Sequence, residues 1–495
     1  MDTNTYLGLD QGSGSTKAVL LTTNGETVFE TSVEAPGRSV NGREVEQSAE
    51  GILNSVVEVF LKAKQWAYTN QLKIHAAGLA CQRSGVLAWN SRDGVPQHDV
   101  ITWADTRTIP IIQNFGKGTE RISVKTGIPT LPNFAGGKIA LLQREFRDAS
   151  VYVGTLDTFL MYRLSGRKSF ITDDTMAART MLYSLESRSW DSQLCQEFKV
   201  ESRRLASISP SLATHTIFEE VPITAMLGDQ QAALLATQAI TPRPLLNLGT
   251  IASLMVGTGA TPTITPGVMA SVALSYHLPN SAIREYGFLS EITSSVTGEV
   301  LLEANRRGWC KSLAELNSLC DEACTRSATP KSIAYLVNHR PAPPLQPERT
   351  PNVFVSKPDA DVGDKARAIV ENVGNLVIRM FEEMRDKGVL TDLEGLHVNV
   401  SGGGSQLLYL LQYIADCTGV VLHRVGEREA TARGAAIAAQ RGHHVSQVKM
   451  HQEEGANLSP IHPQDRERKR RYLMWQRLEG DVLRRSLPPH AEIEE

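Results

Sequence analysis

Residues 6–21 of this 495-residue chain, YLGLDQGSGSTKAVLL, decide the fold. Two apolar segments flank a loop rich in glycine and serine, which predicts one strand before Asp10 and another from Lys17 onward. The Asn24-Gly25 pair then predicts a tight turn into a third, antiparallel strand near residues 27–29. A glycine-rich loop between two strands differs from the G-x-x-x-x-G-K-[ST] and G-x-G-x-x-G loops, because each of those leads into a helix.

The loop has the chemistry of an anion-binding turn. Glycines let the backbone approach a phosphate closely, while hydroxyls and backbone amides bind the phosphate oxygens. Asp10 ends the first predicted strand, where a carboxylate can hold Mg²⁺ through water. A tight hairpin with an accessory acid fits the same residues equally well. The candidate phosphate-binding residues are Gly12, Ser13, Gly14, Ser15, Thr16 and Lys17.

A second candidate element is GDQQAAL at residues 228–234. An acid that follows a short apolar segment and precedes a helix-forming run places Asp229 at a helix N-terminus, where the helix dipole stabilises a carboxylate. Asp229 is then either an N-cap, as most such aspartates are, or a base that takes a proton from an attacking hydroxyl.

A third element, SGGGS at residues 401–405, lies between a predicted strand at 396–400 and a predicted helix at 406–418. Three successive glycines cost backbone entropy, which is understandable if a nucleotide lies against the loop and the helix N-terminus. A glycine-bearing hairpin is also predicted at residues 245–256, and a long helix at 364–387. The recurrence of strands, loop and helix in both halves suggests an internal duplication.

We therefore predict an N-terminal domain at 1–240, a C-terminal domain at 241–455 and a charged helical tail at 456–495. The boundary is placed near residues 241–244, which contain two prolines. The proline-rich segment 341–358 is expected to be irregular.

The composition is that of an ordinary globular protein, with 41% hydrophobic and 21% charged residues and a formal net charge of -3. This balance predicts neither nucleic acid nor membrane as a partner. The six cysteines lack zinc-site spacing, and no segment has the apolar pattern of a membrane span or a signal peptide. We expect reduced thiols in a cytoplasmic protein that acts on a small molecule.

The order of these motifs resembles the FGGY family of carbohydrate kinases, in particular its glycerol-kinase-like members. The resemblance covers about residues 5–445. It rests on DQG at 10–12, GDQQAA at 228–233, Gly249-Thr250 and GGG at 402–404, supported by EQ at 46–47, CQRS at 81–84, WADTR at 103–107, GTLDT at 154–158, TD at 172–173 and EATARGAA at 429–436. It implies an α/β fold of two actin-like (ribonuclease-H-like) domains with an interdomain cleft, each a mixed five-stranded sheet flanked by helices.

The resemblance also implies ATP-dependent phosphorylation of a hydroxyl group on a small polyol or sugar, with domain closure that excludes water. Asp10 would organise Mg²⁺, residues 12–16 would contact the terminal phosphates, and Asp229 would be the catalytic base. The second phosphate loop would be Gly249 and Thr250, while Gly403, Gly404 and Leu407 would lie at the adenosine. The implied substrate-binding residues are Arg83, Ser84, Trp103, Asn133, Asp229 and Gln230.

The substrate pocket departs from the glycerol kinase pattern at three positions. Ser84 replaces a glutamate, Asn133 replaces a tyrosine, and Ser253 replaces an aromatic residue. Because hydroxyl-specific pockets lose much affinity when one partner is removed, these changes favour a polyol or ketose larger than glycerol, with glycerol itself as the alternative. A catalytically silent, nucleotide-binding regulator on the same fold is the competing function, and a homodimer is left open.

Overall fold

The computed structural model describes residues 4–238, 243–249, 251–278, 281–294, 298, 304–327, 334–337, 352–355, 360–425, 429–443, 461–462, 464 and 472–473. The chain forms two compact units. The first unit contains residues 1–242, 255–291 and 427–455, and the second contains 243–254, 292–426 and 456–495. Each unit is therefore assembled from separate parts of the chain. The predicted domain limits stay a prediction, since compact units and folding domains need not coincide.

Before residue 243, the described part of the chain alternates between strands and α-helices. The strands are β1 (Asn4–Gln11), β2 (Ser15–Thr22), β3 (Thr27–Glu34), β4 (Arg38–Asn41), β5 (Glu44–Gln47), β6 (Lys73–Cys81), β7 (Val86–Asn90), β8 (Pro96–Ile101), β9 (Val151–Thr155), β10 (Ile171–Asp173), β11 (Tyr183–Ser184), β12 (Ser189–Trp190), β13 (Ser207–Ser209), β14 (Leu212–Phe218) and β15 (Val221–Gly228). The helices are α1 (Ala49–Thr69), α2 (Ile109–Gln113), α3 (Thr119–Thr126), α4 (Ala135–Glu145), α5 (Leu156–Leu164), α6 (Asp174–Ala177), α7 (Ser192–Phe198) and α8 (Asp229–Gln238).

The later part of the chain continues the same numbering. Its strands are β16 (Leu245–Leu248), β17 (Ala252–Gly259), β18 (Met269–His277), β19 (Arg284–Ser294), β20 (Ala334–Val337), β21 (Asn352–Val355), β22 (His397–Ser401) and β23 (Val421–Arg424). Its helices are α9 (Leu313–Arg326), α10 (Val362–Asp386), α11 (Leu408–Thr418) and α12 (Ala430–His443).

The first unit is built on a mixed sheet whose central order is β3-β2-β1-β6-β15. The strands β1, β2 and β3 form the antiparallel meander predicted from the sequence, and β6 pairs parallel to both β1 and β15. These five strands match the expected five-stranded sheet. The strands β14 and β18 and residues 284–291 of β19 extend it beyond β15.

Helices cover the central sheet of the first unit. The helix α1 is capped by Ser48, whose side chain accepts a hydrogen bond from the Gly51 amide, and its apolar residues recur at helical spacing to pack on β2 and β3. The helix α12 packs on β1 and β6 so closely that a Cβ on Gly8 would lie 1.8 Å from the Ala432 carbonyl oxygen. Only glycine fits this point of β1, which explains why the strand carries one in its middle.

A second sheet in the first unit has the order β4-β5-β8-β7-β9. The helix α4 packs on its strands β7 and β9 through a buried cluster that includes Val86, Ile101, Ile139 and Leu142. The turns and loops that leave β6, β8 and α3 carry Ser84, Trp103 and Asn133, three of the predicted substrate-binding residues.

The second unit contains the parallel strands β16, β22 and β23, in the order β23-β22-β16. The predicted helices at 364–387 and 406–418 are present as α10 and α11, and the two pack on each other. The expectation of an irregular segment at 341–358 is wrong for residues 352–355, because β21 pairs antiparallel with β20 there. Most of the predicted helical tail lies outside the described residues; within it, Tyr472 is buried in a cluster with Ile378, Tyr413 and Cys417.

Candidate active site

The loop between β1 and β2 is a tight turn with an open tip. The Gly12 amide donates to the Ser15 carbonyl at 3.0 Å, and Gly14 is exposed with open space around its Cα. The Ser13 carbonyl accepts from the Gln47 side chain at 2.9 Å, which fixes the turn from behind. The Thr16 hydroxyl is buried and lies 2.6 Å from the Ser55 hydroxyl. The glycine and serine backbone at the tip is therefore the part of the loop that is open to an anion.

Asp10 ends β1 directly before this turn, with 8% of its surface exposed. Burial and, after it, the neighbouring Asp229 carboxylate raise the pKa of Asp10 to about 7 against the opposing charge of Lys17. Lys17 itself forms an ion pair of 2.6 Å with Glu429. Two carboxylates in one buried region make a site that a cation would stabilise.

Asp229 is the first residue of α8, as the sequence predicts. Its Oδ1 accepts a hydrogen bond of 2.7 Å from the Gln230 amide and lies 3.3 Å from Nε of Arg83. About a quarter of the side chain is exposed (26%). Burial raises the pKa of Asp229, while the charge of Arg83 and the Gln230 amide oppose the rise. The carboxylate is thus accessible, oriented and more basic than an ordinary aspartate.

The guanidinium of Arg83 is held by a carboxylate that the sequence did not single out. Glu291, on β19, accepts two hydrogen bonds of 3.0 Å each from Arg83 and one of 3.2 Å from Arg179. The Glu291 side chain has no exposed surface. Arg179 stacks over the Phe134 ring, with 5.0 Å between its Cζ and the ring centroid. A bidentate pair of this kind fixes the plane of the guanidinium and therefore the position of its Nε beside Asp229.

The other predicted substrate-binding residues lie in the first unit, where the segments of Trp103 and Asn133 contact each other. The Asn133 side-chain amide donates to the Trp103 carbonyl at 3.2 Å, and Asn133 Oδ1 is buried without a hydrogen-bond donor among the described residues. Arg38 lies over the Trp103 ring at 5.5 Å. Ser84 is 5% exposed and has a backbone φ of 64°. Gln230 follows Asp229 on α8 and is half-buried.

Apart from the turn between β1 and β2, the residues predicted to bind the nucleotide belong to the second unit. Gly402 has a φ of 85°, and a Cβ there would lie 2.6 Å from the Leu248 carbonyl oxygen, so the turn after β22 requires glycine. Gly403 has open space around its Cα, whereas Gly404 packs on Leu248, next to Gly249 in the chain. Leu407 is fully buried and Leu408 is 47% exposed, so Leu408 has the surface that a ligand could contact. Thr250 lies outside the described residues.

Comparison with known proteins places these features in a family. The sequence profile of the N-terminal domain of the FGGY family of carbohydrate kinases matches residues 5–236, and that of the C-terminal domain matches residues 245–443. The chain belongs to the FGGY family of carbohydrate kinases. The resemblance found in the motifs is confirmed, and so is the two-domain α/β fold class that it implies.

Individual FGGY kinases with different names are similar to this chain over most of its length. A glycerol kinase of Streptococcus pyogenes serotype M6 is 26% identical over 455 residues, covering 88% of each chain. The crystal structure of Plasmodium falciparum glycerol kinase with ADP superimposes with a TM-score of 0.80 at 18% identity, covering 97% of this chain and 98% of that one. A xylulose kinase from Rhodospirillum rubrum gives a TM-score of 0.79 at 16% identity, covering 97% and 99%. The fold is thus shared by kinases named for different acceptors.

Three residues of this FGGY kinase's site escaped prediction from sequence: Glu291, Arg179 and Lys138. Glu291 is 208 residues from Arg83 in the chain and lies within a strand, so nothing local indicates the pairing. A charged residue inside an otherwise apolar or hydroxyl-rich strand, as in FLSEITS, was the available signal, because an unpaired charge is rarely buried.

Among the described residues, no helix is long and apolar enough to cross a membrane.

Proposed function

We propose that this FGGY kinase transfers the terminal phosphoryl group of ATP to a hydroxyl of a neutral polyol or ketose larger than glycerol, with Asp229 as the general base. The observation that carries the proposal is the geometry of Asp229. Its carboxylate begins a helix, retains exposed surface and is oriented by the Gln230 amide and by Arg83. A carboxylate held in this way can accept the proton of a hydroxyl as that hydroxyl attacks phosphorus.

The electrostatics of Asp229 suit this role. Its raised pKa makes it a better proton acceptor than an ordinary aspartate, while the charge of Arg83 favours its ionised form. Arg83 would also donate to a hydroxyl of the acceptor, because Glu291 aligns its guanidinium without enclosing it: 12% of the side chain remains exposed. Phosphoryl transfer needs little covalent help from the protein, so such positioning supplies much of the rate.

The residues around Asp10 fit a magnesium ion. Mg²⁺ in kinases is bound by one or two carboxylates together with substrate phosphates, and the pKa of Asp10 shows that its ionised form is costly without a cation. Bound there with ATP, Mg²⁺ would neutralise charge on the phosphates. Asp10 would hold the ion through water, and the turn at residues 12–15 would bind phosphate oxygens with its amides. Gly249, Gly403 and Gly404 are the proposed nucleotide contacts of the second unit.

The acceptor is proposed to be larger than glycerol because Ser84 and Asn133 stand where the glycerol kinase pattern has a glutamate and a tyrosine. Ser84 follows Arg83 in the chain, and Asn133 Oδ1 is available to accept a hydrogen bond from an acceptor hydroxyl. The site's described charges also favour a neutral acceptor, since Arg83 and Arg179 already share Glu291 and Arg83 also faces Asp229.

The test is an ADP-release assay with Mg·ATP across glycerol, erythritol, pentitols, ribulose, xylulose and sedoheptulose, with Asp229→Asn as the control. One acceptor that is active with the wild type and silent with the variant supports the proposal and names the substrate. Glycerol as the best acceptor would overturn the size argument. Measurable ATP binding without any acceptor would favour the silent regulator.

A further inference from the structure

Lys138, on the first turn of α4, is fully buried and binds three backbone carbonyls. Its Nζ donates to the Ser84 oxygen at 3.0 Å, the Thr102 oxygen at 2.8 Å and the Asn133 oxygen at 2.8 Å. An ammonium group has three N–H donors, so all three are used. No described carboxylate forms an ion pair with Lys138, so the three carbonyl dipoles are the direct partners of its charge, and the Asp105 carboxylate favours that charge from a greater distance.

The three carbonyls belong to the three separate segments that carry the proposed acceptor-binding residues. Ser84 follows Arg83, Thr102 precedes Trp103, and Asn133 is itself a proposed contact. Ser84 and Asn133 are 54 and 5 residues from Lys138 in the chain, and Thr102 is 36 residues away. One side chain thus connects three loops that come from separate parts of the chain.

We propose that Lys138 is a positioning residue that sets the geometry of the acceptor site by tying the segments of Ser84, Trp103 and Asn133 to one point. The inference rests on the proposed function, since it assigns a role within that site. Lys138 is not a catalytic residue, because it contacts only backbone carbonyls.

The backbone of Ser84 shows why such a tie is needed. Its φ of 64° lies in the left-handed region, which is unfavourable for a residue that has a side chain. A strained conformation persists only where its surroundings fix it, and the Lys138 hydrogen bond to the Ser84 carbonyl supplies a fixed point. Loss of this bond allows residue 84 to relax, and the adjacent Arg83 moves with it.

The charge of Lys138 is sensitive to pH. Burial lowers the pKa of Lys138 to about 7, and the charges of Asp105 and Arg107 act on it in opposite directions. The elements packed on α4 are β7, which has no titratable side chain, β9 with Tyr152, and α7 with Cys195 and Glu197. A neutral amine has two N–H donors and a lone pair, so one of the three carbonyls loses its donor when Lys138 deprotonates.

The first test is Lys138→Met, which keeps the length of the side chain and removes its donors, with Lys125→Met as the matched control on the neighbouring helix α3. We expect the KM for the acceptor to rise about tenfold or more while the KM for ATP changes by less than about twofold, because the displaced loops contact only the acceptor. An unchanged acceptor KM in a folded variant, or equal changes in both constants, would overturn the proposal.

A second test uses the wild-type protein, so it does not depend on the variant folding. At saturating Mg·ATP, which keeps the metal and nucleotide site filled, the acceptor KM is expected to rise about threefold or more between about pH 6 and about pH 9, as Lys138 loses its proton. Because the folded-state pKa lies below the usual 10.5, deprotonation in this window favours the folded state, so weaker acceptor binding cannot be attributed to Lys138-linked unfolding. A flat acceptor KM contradicts the proposal.

Hydrogen–deuterium exchange separates this inference from the proposed function. Lys138→Met is expected to speed exchange in the peptides that contain Ser84, Trp103 and Asn133 and to leave α10 unchanged. If these three peptides exchange faster in the variant but the wild type phosphorylates no acceptor, the positioning role of Lys138 is supported and the proposed acceptor site is rejected. If exchange in these three peptides is unchanged, the positioning role of Lys138 is rejected, whatever the kinase activity of the variant.

Discussion

The Nε atom of Arg83 lies 3.3 Å from Oδ1 of Asp229, so the group proposed to bind the acceptor also touches the group proposed to deprotonate it. The close approach depends on Gly228, where a Cβ would lie 2.9 Å from Cδ of Arg83. The side chains proposed for acceptor binding and for proton transfer are therefore in contact, and a substitution of Arg83 or of Asp229 should affect both steps.

The first prediction concerns Asp229→Asn. The amide keeps the size of the side chain but cannot accept a proton, so kcat should fall about 10²- to 10⁴-fold while the affinity for ADP stays within about twofold. Single-turnover kinetics and a nucleotide titration measure the two quantities. Glu58→Gln, which alters a carboxylate in an exposed ion pair on α1, is the control that should leave both unchanged. Equal losses of nucleotide affinity and rate would count against the role of base.

The second prediction concerns Asp10→Asn and its dependence on pH. The folded-state pKa of about 7 lies above the usual 3.8, so the folded protein binds the extra proton and loses stability as pH rises through this window. Without Mg²⁺, the variant should therefore be more stable than the wild type at about pH 8, by on the order of a few kcal/mol, and gain less at about pH 4.

Thermal unfolding at the two pH values measures this difference, and the variant should also lose phosphoryl transfer. A constant offset between variant and wild type at both pH values would show that the carboxylate of Asp10 is not the destabilising group. Mg·ADP should raise the unfolding midpoint of the wild type more than that of the variant, because only the wild type keeps the proposed metal ligand.

How far the sequence predicts this molecule depends on the range of the interactions. The hairpin from Asp10 to Lys17 and the place of Asp229 on α8 follow from local patterns, and both are present. The buried Asp157 accepts a hydrogen bond from the Thr172 hydroxyl, and Asp173 caps the first turn of α6. The contacts of Glu291 and Lys138 join segments far apart in the chain, which no local pattern encodes. The strand at 352–355 was missed because the prolines around it dominated the local signal.

The third prediction is that Ser84→Glu shifts the preference towards glycerol. A glutamate beside Arg83 fills the space of the small side chain and offers an acceptor for a glycerol hydroxyl, so the ratio of kcat/KM for glycerol to that for the best larger acceptor should rise about tenfold or more. Ser84→Ala, which removes the hydroxyl without adding an acid, is the matched control. Both variants keep a side chain at the strained backbone position, so their stabilities should be similar. An unchanged ratio would contradict the assignment of residue 84 to the pocket.

The last prediction concerns Glu291→Gln, which removes the carboxylate that Arg83 and Arg179 share. Two buried guanidinium groups then face each other with no anion between them, and such a loss costs about 3–5 kcal/mol. Burial and the charge of Arg83 lower the pKa of Arg179 to about 10 even though Glu291 raises it, so loss of the Glu291 carboxylate makes the charged form of Arg179 still less favourable. The unfolding midpoint should fall, and the acceptor KM should rise because Arg83 is no longer aligned beside Asp229.

The matched control is Glu201→Gln, which breaks the exposed pair between Glu201 and Arg203 and should cost less than about 1 kcal/mol. Urea unfolding of both variants compares the two costs directly. If Glu291→Gln were as mild as the control, the buried pair would not be what fixes Arg83. If it lowered stability with an unchanged acceptor KM, Glu291 would support the fold without aligning the site.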